Sequence, residues 1–451
     1  MHFLKGQYGL NRKNGRIALA AFAAGALAIT AACSGDGGGD DDSTGEDGKT
    51  KLTVATFNTF GYVQAGLEAK YEAENPDIDV VFEGDGVQFG EYRTALETAL
   101  DAGDGFGDVV AMDEQATPQL FQNGDHWYDL SEYASREGDY HPNTWNLGHT
   151  PDDKLVGLGT DIGGMAMCYR SDLFAAAGLP TDREEVAAAW SDWEGFKTVA
   201  QQFVDSDVDA AFLDNGTQLQ NMLLSQFAGQ GDGQMYVDDE GNLTLDSAAA
   251  TQSLDLVFEL TEMGAVGNFP SWGEEWNAAM AAGGYAVMPC PGWMARAIIE
   301  PTSGPDNADK WDMAAVPGVA GNWGGSFLAV PAEGPNPEKA AALASWLTEP
   351  EQQIAVFEAV GNFPSSPAAQ ADPRVADYTS DYFNDAPSSQ ILIASLASFP
   401  ALEYSYFHPP VQGAVETTIN GIVDGSIPMA DAHSAIESAA SDAVELAGAG
   451  M

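Results

Sequence analysis

Between Leu52 and Met112 the chain reads Leu52-Thr-Val-Ala-Thr-Phe57, then a helical stretch through Ala65, Leu67, Ala69 and Tyr71, then the breaker Asn75-Pro76 and Ile78-Asp-Val-Val-Phe82. After an amphipathic run from Gly90 to Ala102 comes Asp108-Val-Val-Ala-Met112. The short Val-rich runs predict strands. Tyr92, Ala95, Leu96, Ala99 and Leu100 fall at i, i+3, i+4, i+7 and i+8, which predicts a helix with one buried face. Gly103-Asp-Gly-Phe-Gly107 ends it. Strand and helix alternating across short breakers predict an α/β fold with a largely parallel sheet. The pattern resumes at Val156, so a second α/β unit is expected.

Working outward, several helix ends are legible. Asp192 is placed to cap a helix burying Phe196, Val199, Ala200 and Phe203. Thr348-Glu-Pro-Glu351 has capping-box spacing. The last segment, Met429 to Leu446, reads as a helix with Ala432, Ile436, Ala439, Ala443 and Leu446 near one face. Asp238-Asp-Glu-Gly-Asn242 lacks the alternating ligands and sixth-position glycine of a calcium loop, so it reads as a turn between short strands at Tyr236 and Leu243-Thr-Leu245.

The chain has 451 residues, enough for two to three domains. Lys and Arg number 17 against 68 Asp and Glu, a formal charge of −51. Such a surface repels nucleic acid and anionic lipid headgroups, so neither is expected as a ligand. Ten Trp, 14 Tyr and 21 Phe argue against disorder. Residues 1–32 carry Lys5, Arg12, Lys13 and Arg16 and no acid, followed by an apolar run from Ile17 to Ile29, the form of a secretory signal. Without them 13 basic residues face 68 acidic ones, a charge of −55. The run ends in Thr30-Ala31-Ala32-Cys33, which resembles a lipobox and makes Cys33 the expected lipidation site, although Thr replaces the common Leu and plain signal-peptidase cleavage is the alternative. Residues 33–50 are a Gly- and Asp-rich tether suited to holding a domain off a membrane. Cys168 and Cys290 remain. Both lie in apolar strand-like runs, which suits two buried thiols; an exported compartment and a loop of over a hundred residues favour a disulfide.

Catalytic motifs are missing: no Gly-x-Ser-x-Gly elbow, phosphate loop or His-Glu-x-x-His is present, and the six His have no metal-ligand spacing. No enzyme activity, metal or cofactor is expected. Aromatic placement is more informative. Trp272 in Pro270-Ser-Trp-Gly273, Trp293 in Pro289-Cys-Pro-Gly-Trp-Met294 and Trp323 in Gly321-Asn-Trp-Gly-Gly-Ser326 stand beside Gly or Pro, outside helical periodicity. On strand-end loops such rings either pack or stack on sugar faces while nearby carboxylates and amides bond the sugar rim.

Five segments resemble family 1 extracellular solute-binding proteins of carbohydrate ABC importers. They are Phe106–Glu114 with Leu120 and Trp127-Tyr-Asp-Leu130; Val156–Phe174 with Ala177-Gly-Leu-Pro180; Tyr285-Ala-Val-Met to Pro291-Gly-Trp293; Gly324-Gly-Ser-Phe-Leu-Ala-Val330; and Ala340–Gln352 with Gly361-Asn-Phe-Pro364. Arg170 stands where Asn is common, and Ala189-Trp-Ser-Asp-Trp193 departs from the usual Pro-x-Thr-Trp. The resemblance implies a two-lobed periplasmic-binding-protein-like α/β fold crossed three times at a hinge. It places the N-terminal lobe at 50–160 plus 315–362 and the C-terminal lobe at 161–314 plus 363–451. Both Cys168 and Cys290 would then belong to one lobe sheet, which favours their bond. The cleft is expected to use Trp293 for stacking, with Asp113, Glu114 and Gln115 from the opposite lobe, Asn58 and Phe60 after the first strand, and Asp161 at the crossover. Asn322 and Trp323 at the return and Tyr406 and His408 before the penultimate helix complete the set, beside Trp272.

The resemblance also implies partners: a sugar ligand, two permease subunits and a cytoplasmic ATPase, served by a monomer anchored outside the cell membrane. Met-Pro-Cys-Pro-Gly-Trp-Met and Gly-Asn-Trp-Gly-Gly-Ser-Phe-Leu-Ala-Val are similar to actinobacterial proteins associated with cellobiose or related β-gluco-oligosaccharides. The rivals are a non-sugar solute such as a polyamine, and a surface-anchored glycoside hydrolase, which needs two carboxyls ~5–10 Å apart. With a neutral ligand expected, the acidity is assigned to the tether and the outer surface, where it solvates the protein and keeps it off an anionic membrane.

Overall fold

A computed structural model describes residues 48–449 except 104–105, 232, 319–320, 398 and 403. The signal segment, Cys33 and most of the tether lie outside the described residues. The strands are β1 (Thr50–Ala55), β2 (Ile78–Glu83), β3 (Val109–Asp113), β4 (Gly157–Arg170), β5 (Ala211–Leu213), β6 (Tyr285–Pro291), β7 (Trp311–Ala314) and β8 (Asn322–Ala329). They run in the order β2-β1-β3-β8-β4-β6-β5, with β7 also on β4.

Two buried cores form around opposite ends of this array. One gathers Leu52, Val54, Val80, Val110, Leu158, Leu328 and Leu343. The other gathers Ile162, Tyr169, Phe196, Leu223, Val287, Trp311, Phe363 and Val415. β4 explains how one chain serves both: its 14 residues extend roughly 45 Å at strand rise. Leu158 packs in the first core and Ile162 in the second. The register of β4 on β8 shifts between Gly159 and Asp161 and again between Ile162 and Gly164, so the irregular backbone lies where the strand changes cores. β8 returns the chain, with Trp323 in the second core and Leu328 in the first. The helix Pro350–Val360 makes the third passage, sending Val356 one way and Ile354 and Phe357 the other.

The sheet is mixed and not largely parallel. β1 pairs in parallel with β2 and β3, and β5 with β6, but β8 lies antiparallel between β3 and β4. A strand entering from the other core arrives reversed, which local strand–helix alternation cannot show. The helix Phe89–Ala102 buries Tyr92 and Leu96, and Asp192 caps Trp193–Val204 by accepting from Gly195 N at 2.7 Å.

One helix-cap reading fails, and the final helix holds except for the placing of Leu446 on its buried face. Thr348 closes the preceding helix instead of opening the next one: its Oγ1 donates to the carbonyls of Ala344 and Ser345, both at 3.0 Å. The final helix, Ala432–Gly448, buries Ala432, Ile436, Ala440 and Ala443 and packs Val444 and Ala447 against the core, while Leu446 is 76% exposed because it falls off that stripe. At Asp238–Asn242 the turn is present, with Asp238 accepting from Glu240 N and Asn242 N, but the flanking strands reduce to one bridge between Val237 and Leu243.

Cys168 on β4 and Cys290 on β6 are joined as a disulfide, with their Cα atoms 5.4 Å apart. Among the described residues the carboxylates of Glu114, Asp214 and Asp312 are fully buried and those of Asp113 and Asp161 sit half-buried at the joint, while most others reach solvent, so most of the folded body's negative charge is peripheral.

Candidate functional site

Where β3 ends, Asp113 Oδ1 accepts from Gln115 N at 2.9 Å and starts a tight turn, Glu114–Ala116. That turn directs Glu114 into the junction between the cores. Asn322 Nδ2 donates to Glu114 Oε1 and Oε2 at 2.9 and 3.0 Å, and Tyr404 OH donates to Oε1 at 3.4 Å. Asn322 Oδ1 in turn accepts from Gly163 N at 2.9 Å, and its backbone carbonyl accepts from Ser225 Oγ at 2.9 Å. One asparagine therefore ties the end of β3 to β4 and to the helix Gly216–Gln230.

Burial pushes the Glu114 carboxyl up to about 8 against the Asn322 hydrogen bond, with Asp113 and Asp161 adding to the rise. Burial likewise lifts Asp113 to about 6 and raises Asp161, although Thr160 Oγ1 donates to Asp161 Oδ1 at 2.9 Å. Glu114 is thus mainly protonated at neutral pH. Asn322→Leu would strip the two shorter of its hydrogen bonds and leave only Tyr404 OH, and an expected loss of about 1–3 kcal/mol follows from a buried carboxyl oxygen without a partner. Urea titration checks this, and Glu114→Leu combined with Asn322→Leu should cost less than the sum of the two singles.

Beside this junction four indoles form a continuous run. Ring centroids lie 5.3 Å apart for Trp276–Trp272, 5.9 Å for Trp272–Trp293 and 5.6 Å for Trp293–Trp323. Trp276 is fully buried, whereas Trp272 is 49% exposed. Its φ of 71° is left-handed backbone that a bulky residue rarely adopts. The neighbouring Ser271 secures the loop, its Oγ accepting from Asn215 Nδ2 at 3.0 Å and Gln218 Nε2 at 2.9 Å. Trp293 sits in the helical turn Gly292–Met294 and donates its Nε1 to Trp323 O at 3.2 Å. Two glycines permit this packing. A Cβ on Gly163 would lie 1.8 Å from Trp323 O, and one on Gly324, at φ 81°, would lie 3.1 Å from Trp293 Nε1.

Gln115, Asn322, Trp323, Tyr404, His408 and Gln412 line one narrow crevice. Phe60, Tyr62, Thr160, Asp161, Gln353 and Asn362 line another. Each has a cavity volume of about 10 Å³, far below the range of about 300–1,000 Å³ usual for small-molecule pockets.

The residues singled out from sequence divide accordingly. Gln115, Asn322, Trp323 and His408 meet in the first crevice, Glu114 is bonded to its Asn322, and Trp272 and Trp293 continue the indole run from Trp323. Phe60 and Asp161 fall in the second. Asn58 is exposed at φ 48°, and Tyr406 packs edge-on against Phe407 at 5.3 Å; neither lines a crevice. Trp323 is a strand residue and not a loop residue, because β8 starts at Asn322 to pair with Gly164. His408 begins the helix His408–Val423 instead of preceding it. Sequence reading missed Tyr404, Gln412, Asn221 and Ser225. The available signal was the helix Gly216–Gln230, which buries Gln218, Gln220 and Ser225 on all sides where an ordinary surface helix exposes polar residues. No group of three or more His, Cys, Asp or Glu among the described residues could hold a metal ion.

Two α/β cores linked by three chain passages, with polar and indole surfaces at the joint, define a two-lobed solute-binding fold. Residues 67–382 match the bacterial extracellular solute-binding proteins, and the chain belongs to that family. A solved structure described as an extracellular solute-binding protein family 1 superposes with a TM-score of 0.79 at 32% identity, covering 87% of this chain and 99% of the other. The ABC transporter-associated binding protein of B. animalis subsp. lactis Bl-04, solved with beta-1,6-galactobiose, gives a TM-score of 0.72 at 21% identity over 88% of this chain and 98% of its own. The arabinooligosaccharide-binding protein of Bacillus subtilis (strain 168) is 23% identical over 273 residues, and that match spans 59% of each chain.

Proposed function

We propose that this protein is the substrate-binding component of an ABC sugar importer, capturing a di- or oligosaccharide between its lobes and presenting it to two permease subunits energised by a cytoplasmic ATPase. The observation that carries this reading is the Trp272–Trp293–Trp323 run beside the Glu114–Asn322 network. Flat apolar faces next to fixed amide and carboxyl groups match the two-sided chemistry of a pyranose. The beta-1,6-galactobiose and arabinooligosaccharide named for the two relatives above are sugars of this size class. Ligand bridging both lobes would favour the closed form over the open one. The lobes are assigned to 50–160 with 315–362, and to 161–314 with 363–451. The protein is read as a monomeric non-enzyme, lipid-anchored at Cys33 after removal of residues 1–32 and facing out of the cell membrane. Among the described residues no helix is long and apolar enough to cross a membrane.

Cellobiose or a related β-gluco-oligosaccharide is the proposed ligand. Calorimetry on protein lacking residues 1–33 should show micromolar or tighter binding of cellobiose. Trp293→Ala should weaken it at least about tenfold, near 1.4 kcal/mol, in line with loss of a stacking ring. Absence of heat with every di- and oligosaccharide tested would overturn the reading. A thermal-shift plate including polyamines separates the cationic alternative, and release of reducing ends would mark a hydrolase.

A further inference from the structure

His408 is buried, and its hydrogen bonds fix which ring nitrogen carries the proton. Glu416 Oε1 accepts from Asn221 Nδ2 at 2.7 Å and from Gln412 Nε2 at 3.0 Å. A carboxylate oxygen only accepts, so the Gln412 amide must point its nitrogen at Glu416 and its carbonyl at the imidazole. Gln412 Oε1 lies 2.9 Å from His408 Nε2, and a carbonyl also only accepts, so Nε2 carries the hydrogen. Nδ1 is left as a bare lone pair. Burial holds the ring well below its usual range, at about 4, so this form persists at neutral pH.

The ring is clamped in place. Tyr236 stacks on it at 5.9 Å with 13° between planes, and Tyr404 meets it edge-on at 5.1 Å. Nδ1 finds no donor among the described residues, although the side chain lines the first crevice with Gln115, Asn322 and Trp323. An unpaired buried acceptor is costly, and the cost is relieved only when a donor arrives.

We propose that Glu416 and Gln412 hold His408 in its Nε2–H form so that Nδ1 accepts a hydrogen bond from one hydroxyl of the bound saccharide, making His408 a specificity-determining residue and Gln412 a positioning residue. The inference rests on the carbohydrate reading above. It differs from that reading by demanding a hydroxyl that donates at one position, since a site built around a buried acceptor rejects an analogue without the matching donor.

The test uses the protein lacking residues 1–33, with nitrogen-15 in its histidines. In the free protein the His408 Nδ1 signal should show an unprotonated nitrogen, and it should shift when cellobiose, or whichever panel disaccharide gives calorimetric heat, is added to saturation. Monofluoro analogues keep an acceptor but remove one donor. One of them should bind about tenfold more weakly to the parent protein and lose no further affinity against His408→Phe. Gln412→Leu should populate both tautomers and weaken the sugar by a similar factor; if that variant does not fold, the spectra of the parent protein decide alone. A protonated Nδ1 in the free protein overturns the inference, as does heat of binding with an unmoved Nδ1 signal. Absence of heat with all saccharides overturns the carbohydrate reading and this inference with it, whatever the tautomer.

Discussion

The Cys168→Ala/Cys290→Ala double variant is expected to lose about 5 kcal/mol of stability, the chain-entropy value for a loop of this length. The two cysteines are 122 residues apart, and the loop they close contains β5, β6 and several helices of the second core. Cross-linking β4 to β6 removes conformational freedom from the unfolded chain, while the paired strands already bring the two Cα atoms together. For a lobe of this size the loss corresponds to roughly 10–20 °C in melting temperature. Calorimetry should show the transition of the second core moving down while that of the first, built from β1, β2 and β3, stays near its place. Reducing agent on the parent protein should reproduce the shift once the buried bond is reached. A melt unchanged by both treatments would show that the bond adds nothing.

The second large effect is a dependence of stability on pH with the sign opposite to ordinary acid denaturation. Burial lifts Asp113 to about 6, Asp214 to about 7 and Glu114 to about 8, from ordinary values of 3.8, 3.8 and 4.5. Asp214 is held by Trp276 Nε1 at 2.9 Å and Asn215 Nδ2 at 2.8 Å, both on Oδ2. In the unfolded chain these groups lose their protons near pH 4; in the folded protein they keep them to higher pH. Between those limits the native state binds more protons, so their contribution is full below pH 4 and is lost as pH rises through 6 to 8. Each group contributes a slope of up to about 1.4 kcal/mol per pH unit. His408, lowered to about 4, and His141, also lowered by burial, act the other way below their ordinary value of 6.5. The stability maximum is therefore expected in weak acid. At constant ionic strength the melting temperature should be several degrees higher at pH 5 than at pH 8, and Asp214→Asn should flatten the slope. A melting temperature that rises from pH 5 to pH 8 contradicts this account.

How far the sequence carries depends on how local the determinant is. β1, β2 and β3 were legible because each is a short Val-rich run between breakers, and the helix Phe89–Ala102 because its period is strong. Trp272 and Trp293 could be singled out because Gly and Pro beside a Trp mark backbone outside regular helix. Thr348 was misread because its side chain can serve the helix behind it as well as the one ahead, and only geometry chooses. Tyr404 and Tyr406 stand two residues apart in one irregular segment, with no periodicity to say which would turn toward Glu114.

The sequence by itself determined the alternation of strands and helices, the acidic excess and the family pattern, since all are properties of neighbouring residues and composition. The tertiary structure alone decided that β8 lies antiparallel between β3 and β4, that Asn322 reaches Glu114 across 208 residues, and that His408 sits buried between Tyr236 and Tyr404. Each of these depends on groups distant in the chain meeting within hydrogen-bonding distance, and contacts of that kind leave no mark in local periodicity.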